Sequence, residues 1–231
     1  MVIEMSVEFR IVSIGTLSSN PFWSEPPGVR TPHATTTLVR DGERLILVDP
    51  SLPSPAIEAR LFETTGLKPD KITDVFCTTL RPVHRRSILA FRDARWMCYE
   101  EELSAYREHL EQLGRSSQQV DEQVEKALEL DMKLIKRMEP APEKLTPNVH
   151  LYPLKGPSVG SAGLMLLGAL RTAIIAGDAA ITEQHVMSGR VWSGSADVEL
   201  ASQSLAEIIE IADIIVCGHD NYILSPNFWM K

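Results

Sequence analysis

Two strand-rich stretches, before residue 100 and after residue 147, flank about forty residues whose apolar positions follow helical spacing. Each flanking stretch also contains a segment of amphipathic helix, and a helix with one apolar face needs a sheet to cover. Before the insertion, residues 9–14 have the β-branched content of a strand. Residues 35–39 and 44–48 flank Asp41-Gly42, a strong hairpin signal. The spacing predicts a helix over 54–65, with Ile57, Leu61 and Phe62 on one face and Gly66 ending it. Residues 72–78 read as a buried strand. In the middle, Leu103, Tyr106, Leu110 and Leu113, then Val120, Val124, Leu128 and Ile135, draw one stripe on each of two helices. The chain breaks between them near Gly114. After the insertion, residues 149–152, 164–167, 172–175 and 214–216 read as strands, and 195–211 as an amphipathic helix. The expected fold is α/β: a four-layer αββα sandwich, two mixed sheets face to face with helices outside. A single domain is expected over residues 1–231, with the helical insertion at about 100–140.

Composition narrows the partners. The 231 residues carry a net charge of −8, with a pI near 5.3. A protein that lives on nucleic acid or anionic lipid needs a basic excess or stripe, so neither partner is expected. Three cysteines at wide spacing, with no CxxC pair, suit neither a disulfide framework nor a cysteine zinc knuckle. The most apolar stretch, 160–176, is interrupted by Arg171 and glycines, and Glu4 sits where a secretory leader needs positive charge. A cytoplasmic location with reduced thiols is the expectation.

The ends of strands are where α/β proteins place ligands. Five polar spots fall there: Asp49, residues 78–84, residues 156–160, Gly177-Asp178 and Gly218-His219. Their order and spacing resemble the metallo-β-lactamase superfamily. "LILVDPS" resembles its strand-plus-aspartate signature, and "FCTTLRPVHRRSILAF" its T-H-x-H-x-D-H loop and following helix. "GPSVGSAGLML" is similar to its later glycine-histidine loop, "IIAGDA" to its bridging-aspartate strand and "IVCGHDN" to its terminal histidine loop. The resemblance runs from about residue 9 to residue 222 and skips only the insertion.

Such a resemblance implies two metal sites, and this chain departs from that set. The T-H-x-H-x-D-H loop has Thr79, Arg81, Val83 and His84, and Pro157 stands where the later histidine would be. The first site then has no histidine left. The second keeps His84, Asp178 and His219, enough for one divalent ion, zinc first and iron second. Asp178 is the candidate catalytic carboxylate. Arg81 cannot lose its proton or bind a cation. The expectation is that its guanidinium replaces the charge of the first ion and pairs with Asp178. The alternative is that it swings to solvent beside Arg85 and Arg86.

Asp49 is expected to hold loop backbone and orient the site. His33, Glu183 and His185 are candidates to line the cleft, and Trp192 and Trp229 to cover an apolar substrate or simply to pack. Cys77 and Cys217 read as small buried apolar residues. Two functions remain open. One is a metal-dependent hydrolase of an unknown ester, lactone, thioester or amide. The other is a catalytically silent binding protein with Arg81 and polar loop groups in an anion-accepting pocket. A nuclease would need the binuclear site and a basic cleft, and neither is visible. The insertion stripes could pair two copies of the chain across a two-fold axis.

Overall fold

A computed structural model of the chain describes residues 7–116 and 122–230; Glu4 and Val120 of the sequence reading lie outside them. The chain opens with β1 (Glu8–Ser13), crosses a Pro-rich excursion, and returns as the hairpin β2 (Thr36–Asp41) and β3 (Arg44–Val48). Helix α1 (Ser54–Thr65), β4 (Asp74–Cys77) and β5 (Arg95–Cys98) follow. The insertion supplies α2 (Glu100–Ser116) and α3 (Glu122–Arg137), and β6 (Glu139–Pro140) closes the first sheet. The second sheet is built from β7 (Lys144–Thr146), β8 (Val149–Pro153), β9 (Ala162–Leu167) and β10 (Thr172–Gly177). Helices α4 (Glu183–Ser188) and α5 (Val198–Ile211) precede its last strands, β11 (Ile214–Cys217) and β12 (Tyr222–Leu224).

The strand orders are β1-β2-β3-β4-β5-β6 and β12-β11-β10-β9-β8-β7. Both sheets are mixed: β3 through β6 run parallel, as do β10 and β11, and the remaining pairs are antiparallel. Strand alternation decides which layer each side chain joins. In β3, Ile46 and Val48 enter the core between the sheets, while Leu47 faces α1. In β10, Ala173 and Ile175 enter the same core, while Ile174 and Ala176 face α5. Three apolar layers therefore separate four layers of structure. The sandwich expected from the two strand-rich halves is the fold observed.

Some expectations shift. On α1, Ile57 and Leu61 are buried but Phe62 is 58% exposed. Residues 57 and 61 lie four apart on one face, and residue 62 is a further 100° around. Leu113 and Val124, at the far end of the insertion, are exposed, whereas Leu103, Leu110 and Ile135 near the body are buried. Asp197 caps α5 through its side chain to Leu200 N, moving the start past residue 195. Strands β5, β6, β7 and β12 were not expected from the sequence, because two to four residues show too little periodicity. No helix among the described residues is long and apolar enough to cross a membrane.

Candidate metal centre

Four strands deliver polar residues to one rim of the sandwich. Asp49 follows β3 in a left-handed backbone conformation, φ 51°, which aspartate tolerates better than most residues. Its Oδ1 accepts from the Thr78 amide at 2.8 Å and its Oδ2 from the Thr78 hydroxyl at 2.7 Å. Oδ2 also lies 2.9 Å from Nδ1 of the fully buried His84. Gly177 makes this packing feasible: φ is +53°, and a Cβ there would stand 2.4 Å from Thr78 Oγ1.

Asp178 follows Gly177, and His219 follows β11. His84 Nε2 and His219 Nε2 each lie 3.2 Å from Asp178 Oδ1. One ligand atom from each of the three residues lies within 4.8 Å of the others. His219 Nδ1 faces the carbonyls of Thr16 at 3.2 Å and His33 at 3.0 Å. Each ring thus has an acceptor at Nδ1, which assigns the proton of the neutral imidazole there and turns Nε2 inward. His84 Nε2, although close to Asp178, is poorly aligned with it and is buried without a hydrogen-bond partner. A buried, unsatisfied nitrogen beside a carboxylate and a second imidazole fits a divalent first-row ion.

Charge balance agrees with that fit. Burial alone would lower the pKa of His84, but the Asp178 and Asp49 carboxylates outweigh it and raise the ring to about 10. Burial likewise works to raise Asp178, yet His84 and His219 hold it well below the ordinary carboxylate range. Without an ion, a proton on His84 serves as counter-charge.

Arg81 stands on the other side of Asp178. Its Nη1 lies 2.7 Å from Asp178 Oδ2, and its Nη2 donates to the Pro157 carbonyl. The guanidinium lies over the Trp192 ring, 4.5 Å from the centroid. The neighbouring arginines go elsewhere. Buried Arg85 forks onto both carboxylate oxygens of Asp131 on α3 and reaches the Tyr106 hydroxyl, while Arg86 donates to the Pro32 carbonyl.

The remaining candidates divide. His185 is buried and lines the cleft, with Nδ1 2.7 Å from Thr182 Oγ1. Burial, with the nearby charges of Arg190 and His219, lowers its pKa below the ordinary imidazole value. Thr79 is corrected: its hydroxyl turns away from the cleft and donates to Glu102 at 2.6 Å. The structure also puts the His33 ring outside, against the Ile14 carbonyl, so only its backbone serves the site. Glu183 is exposed in an adjoining depression beside Asp220 rather than in the cleft. Trp229 is 84% exposed and covers nothing in the cleft, unlike Trp192. Cys77, Cys98 and Cys217 are buried free thiols. Sequence reasoning missed Glu102, whose place in the first turn of a helix looks like ordinary charge placement.

The cleft above these groups has a volume of about 370 Å³ and apolar walls from Leu17, Pro21, Pro32, Val83, Ile181 and Trp192. The metallo-beta-lactamase superfamily model matches residues 30–219. A comparison with curated protein sequences finds no match. Among solved structures, a candidate metallo-beta-lactamase of Thermotoga maritima is 16% identical with a TM-score of 0.70, covering 95% of this chain and 100% of that one. The dizinc quorum-quenching lactonase AidC, in complex with its product, is 16% identical with a TM-score of 0.60, over 77% and 67% of the two chains. A mutant of Bacillus thuringiensis AiiA with N-decanoyl-L-homoserine at its active site is 19% identical, TM-score 0.63, over 94% of each chain. With the motif order, the two-sheet fold and a family match over most of its length in agreement, this chain belongs to the metallo-beta-lactamase superfamily.

Proposed function

We propose that the protein is a hydrolase that takes a single divalent ion, zinc first and iron second, on His84, Asp178 and His219, with Arg81 in place of a second ion. The observation behind this reading is the convergence of three ligand atoms within 4.8 Å, one of them a buried nitrogen without a hydrogen bond. A divalent ion held there supplies Lewis acidity and makes water a nucleophile near neutral pH. Asp49 and the Thr16 and His33 carbonyls keep both rings turned with Nε2 inward. Arg81 occupies Asp178 Oδ2 and leaves Oδ1 facing the histidines. Its charge, held over the Trp192 ring, borders the cleft where negative charge would develop on a substrate carbonyl oxygen. The apolar walls suit a substrate with an apolar body and exclude water from it. An ester, lactone, thioester or amide is the class proposed, and the lactonases among the fold's neighbours support the lactone.

The ion pair of Arg81 with Asp178 favours a second reading, a catalytically silent binding protein in which the arginine has made the ion unnecessary. Elemental analysis of protein purified without an affinity tag, alongside an esterase and lactonase panel, separates the two. One equivalent of metal and turnover on at least one substrate supports the hydrolase. Metal-free protein that gains neither metal nor activity on incubation with zinc or iron leaves the silent reading.

A further inference from the structure

Glu102 lies in the first turn of α2, inside the insertion, and is 4% exposed. Its Oε1 accepts from Thr79 Oγ1 at 2.6 Å and the Leu80 amide at 2.9 Å. Its Oε2 accepts from Ser158 Oγ at 2.7 Å and the Gly160 amide at 3.2 Å. Thr79 and Leu80 immediately precede Arg81. Ser158 immediately follows Pro157, whose carbonyl accepts from Arg81. One carboxylate therefore holds the backbone on both sides of the Arg81–Pro157 contact. The approach is close: a Cβ on Gly160 would stand 2.1 Å from the Glu102 amide nitrogen.

We propose that Glu102 is a positioning residue for the cleft, clamping the 79–80 and 158–160 segments so that Arg81 is aimed at Asp178. It makes the insertion part of the site. The chemistry demands a carboxylate. A glutamine of the same shape presents one acceptor oxygen and an NH2 group, which would face either the Leu80 or the Gly160 amide and leave that donor without an acceptor. Hydroxyls can reverse their hydrogen bonds, but backbone amides cannot. Arg85 offers a built-in contrast. Through its Nε on the Leu80 carbonyl and its fork on Asp131, it ties the same loop to α3 without touching residues 157–160.

The clamp is read in the metal-free full chain, from hydrogen exchange of the Arg81 guanidinium by 15N NMR. Its relevance to function rests on the hydrolase reading, but this measurement needs neither metal nor substrate. Glu102→Ala should speed that exchange by about tenfold or more, the effect of losing a charge-assisted hydrogen bond. Glu102→Gln should fall between it and the wild type, and Glu102→Asp should recover part of the protection. Asp131→Ala, a comparably placed structural loss, should leave the Arg81 exchange at the wild-type rate. Equal effects of Glu102→Ala and Asp131→Ala, or wild-type exchange in Glu102→Ala despite a lowered Tm, would overturn the proposal. If Glu102→Ala does not fold, Glu102→Gln decides by the same criterion. Cobalt(II) absorption of the same variants then tests the metal reading separately: no cobalt signal in the wild type counts against the hydrolase and leaves the clamp result standing.

Discussion

On one side of Asp178 stand two imidazoles with Nε2 turned inward; on the other stands a guanidinium that can offer no lone pair. The two carboxylate oxygens are divided accordingly, Oδ1 to the histidines and Oδ2 to Arg81. Both sides answer the same need, because a buried carboxylate without a counter-charge is costly. The histidine side can exchange its proton for an ion. The arginine side cannot, since guanidinium stays charged at any physiological pH. Under the proposed function, the difference turns a cleft with places for two ions into one with a place for one.

The largest effect expected is on the histidine side. His219→Ala removes a ligand, and metal affinity should fall by more than the roughly 100-fold that loss of an outer hydrogen-bond partner can cost. Competition titration with a chelating dye measures this, and unchanged affinity would place any metal elsewhere.

Arg81→Ala tests the other side. In metal-free protein it should cost about 2–3 kcal/mol, less than a fully buried pair, because the arginine side chain is 28% exposed. Urea denaturation reads the loss, and zinc should recover part of it by supplying the missing cation. A change within about 0.5 kcal/mol, ordinary for a surface site, would mean that Asp178 does not depend on Arg81.

The two sides should also differ in pH dependence. His84 is raised from its ordinary 6.5 to about 10, so the folded state favours the protonated ring. That contribution to stability is fully present below about pH 6.5 and is lost as pH rises toward 10. Metal binding has the opposite sign, because the ion needs a bare Nε2, so affinity should rise across the same window. Calorimetry at pH 8 in two buffers of different ionisation enthalpy should count proton release on binding. Zinc binding with no proton released would contradict the charged His84.

Trp192→Ala should have the smallest effect. Trp192 is 42% exposed, and its cation–π contact with Arg81 is worth about 0.5–1 kcal/mol. A double-mutant cycle with Arg81→Ala isolates that coupling, and a value near zero would make Trp192 a cleft wall only.

How far the site could be read from the chain depends on how local each signal is. Asp49, Asp178 and His219 stand just past apolar strand segments, where a polar residue interrupts a run of buried ones, whereas His84 lies seven residues beyond β4 and is marked only by the resemblance of its loop to the family's T-H-x-H-x-D-H motif. The layers of the sandwich were legible for the same reason: in β3 and β10, alternation alone assigns each side chain to a face. Thr79 and His33 misled because their type and position say nothing about which way the side chain turns. Their partners, Glu102 and the Ile14 carbonyl, lie about twenty residues away in the chain.

The amino-acid sequence by itself determined the four layers, the insertion and which residue types reach the rim, because strand and helix periodicities are local properties. It also determined that Arg81 must stay charged, a property of the guanidinium alone. Only the tertiary structure decided what surrounds that charge. Asp178, the Pro157 carbonyl and Trp192 are separated from Arg81 by 97, 76 and 111 positions and meet it only when the two sheets close. The clamp at Glu102 is likewise a tertiary product. Its four donors come from two loops, one about 22 residues before Glu102 and the other 56 or more residues after it, and the carboxylate meets both only after folding has removed the water.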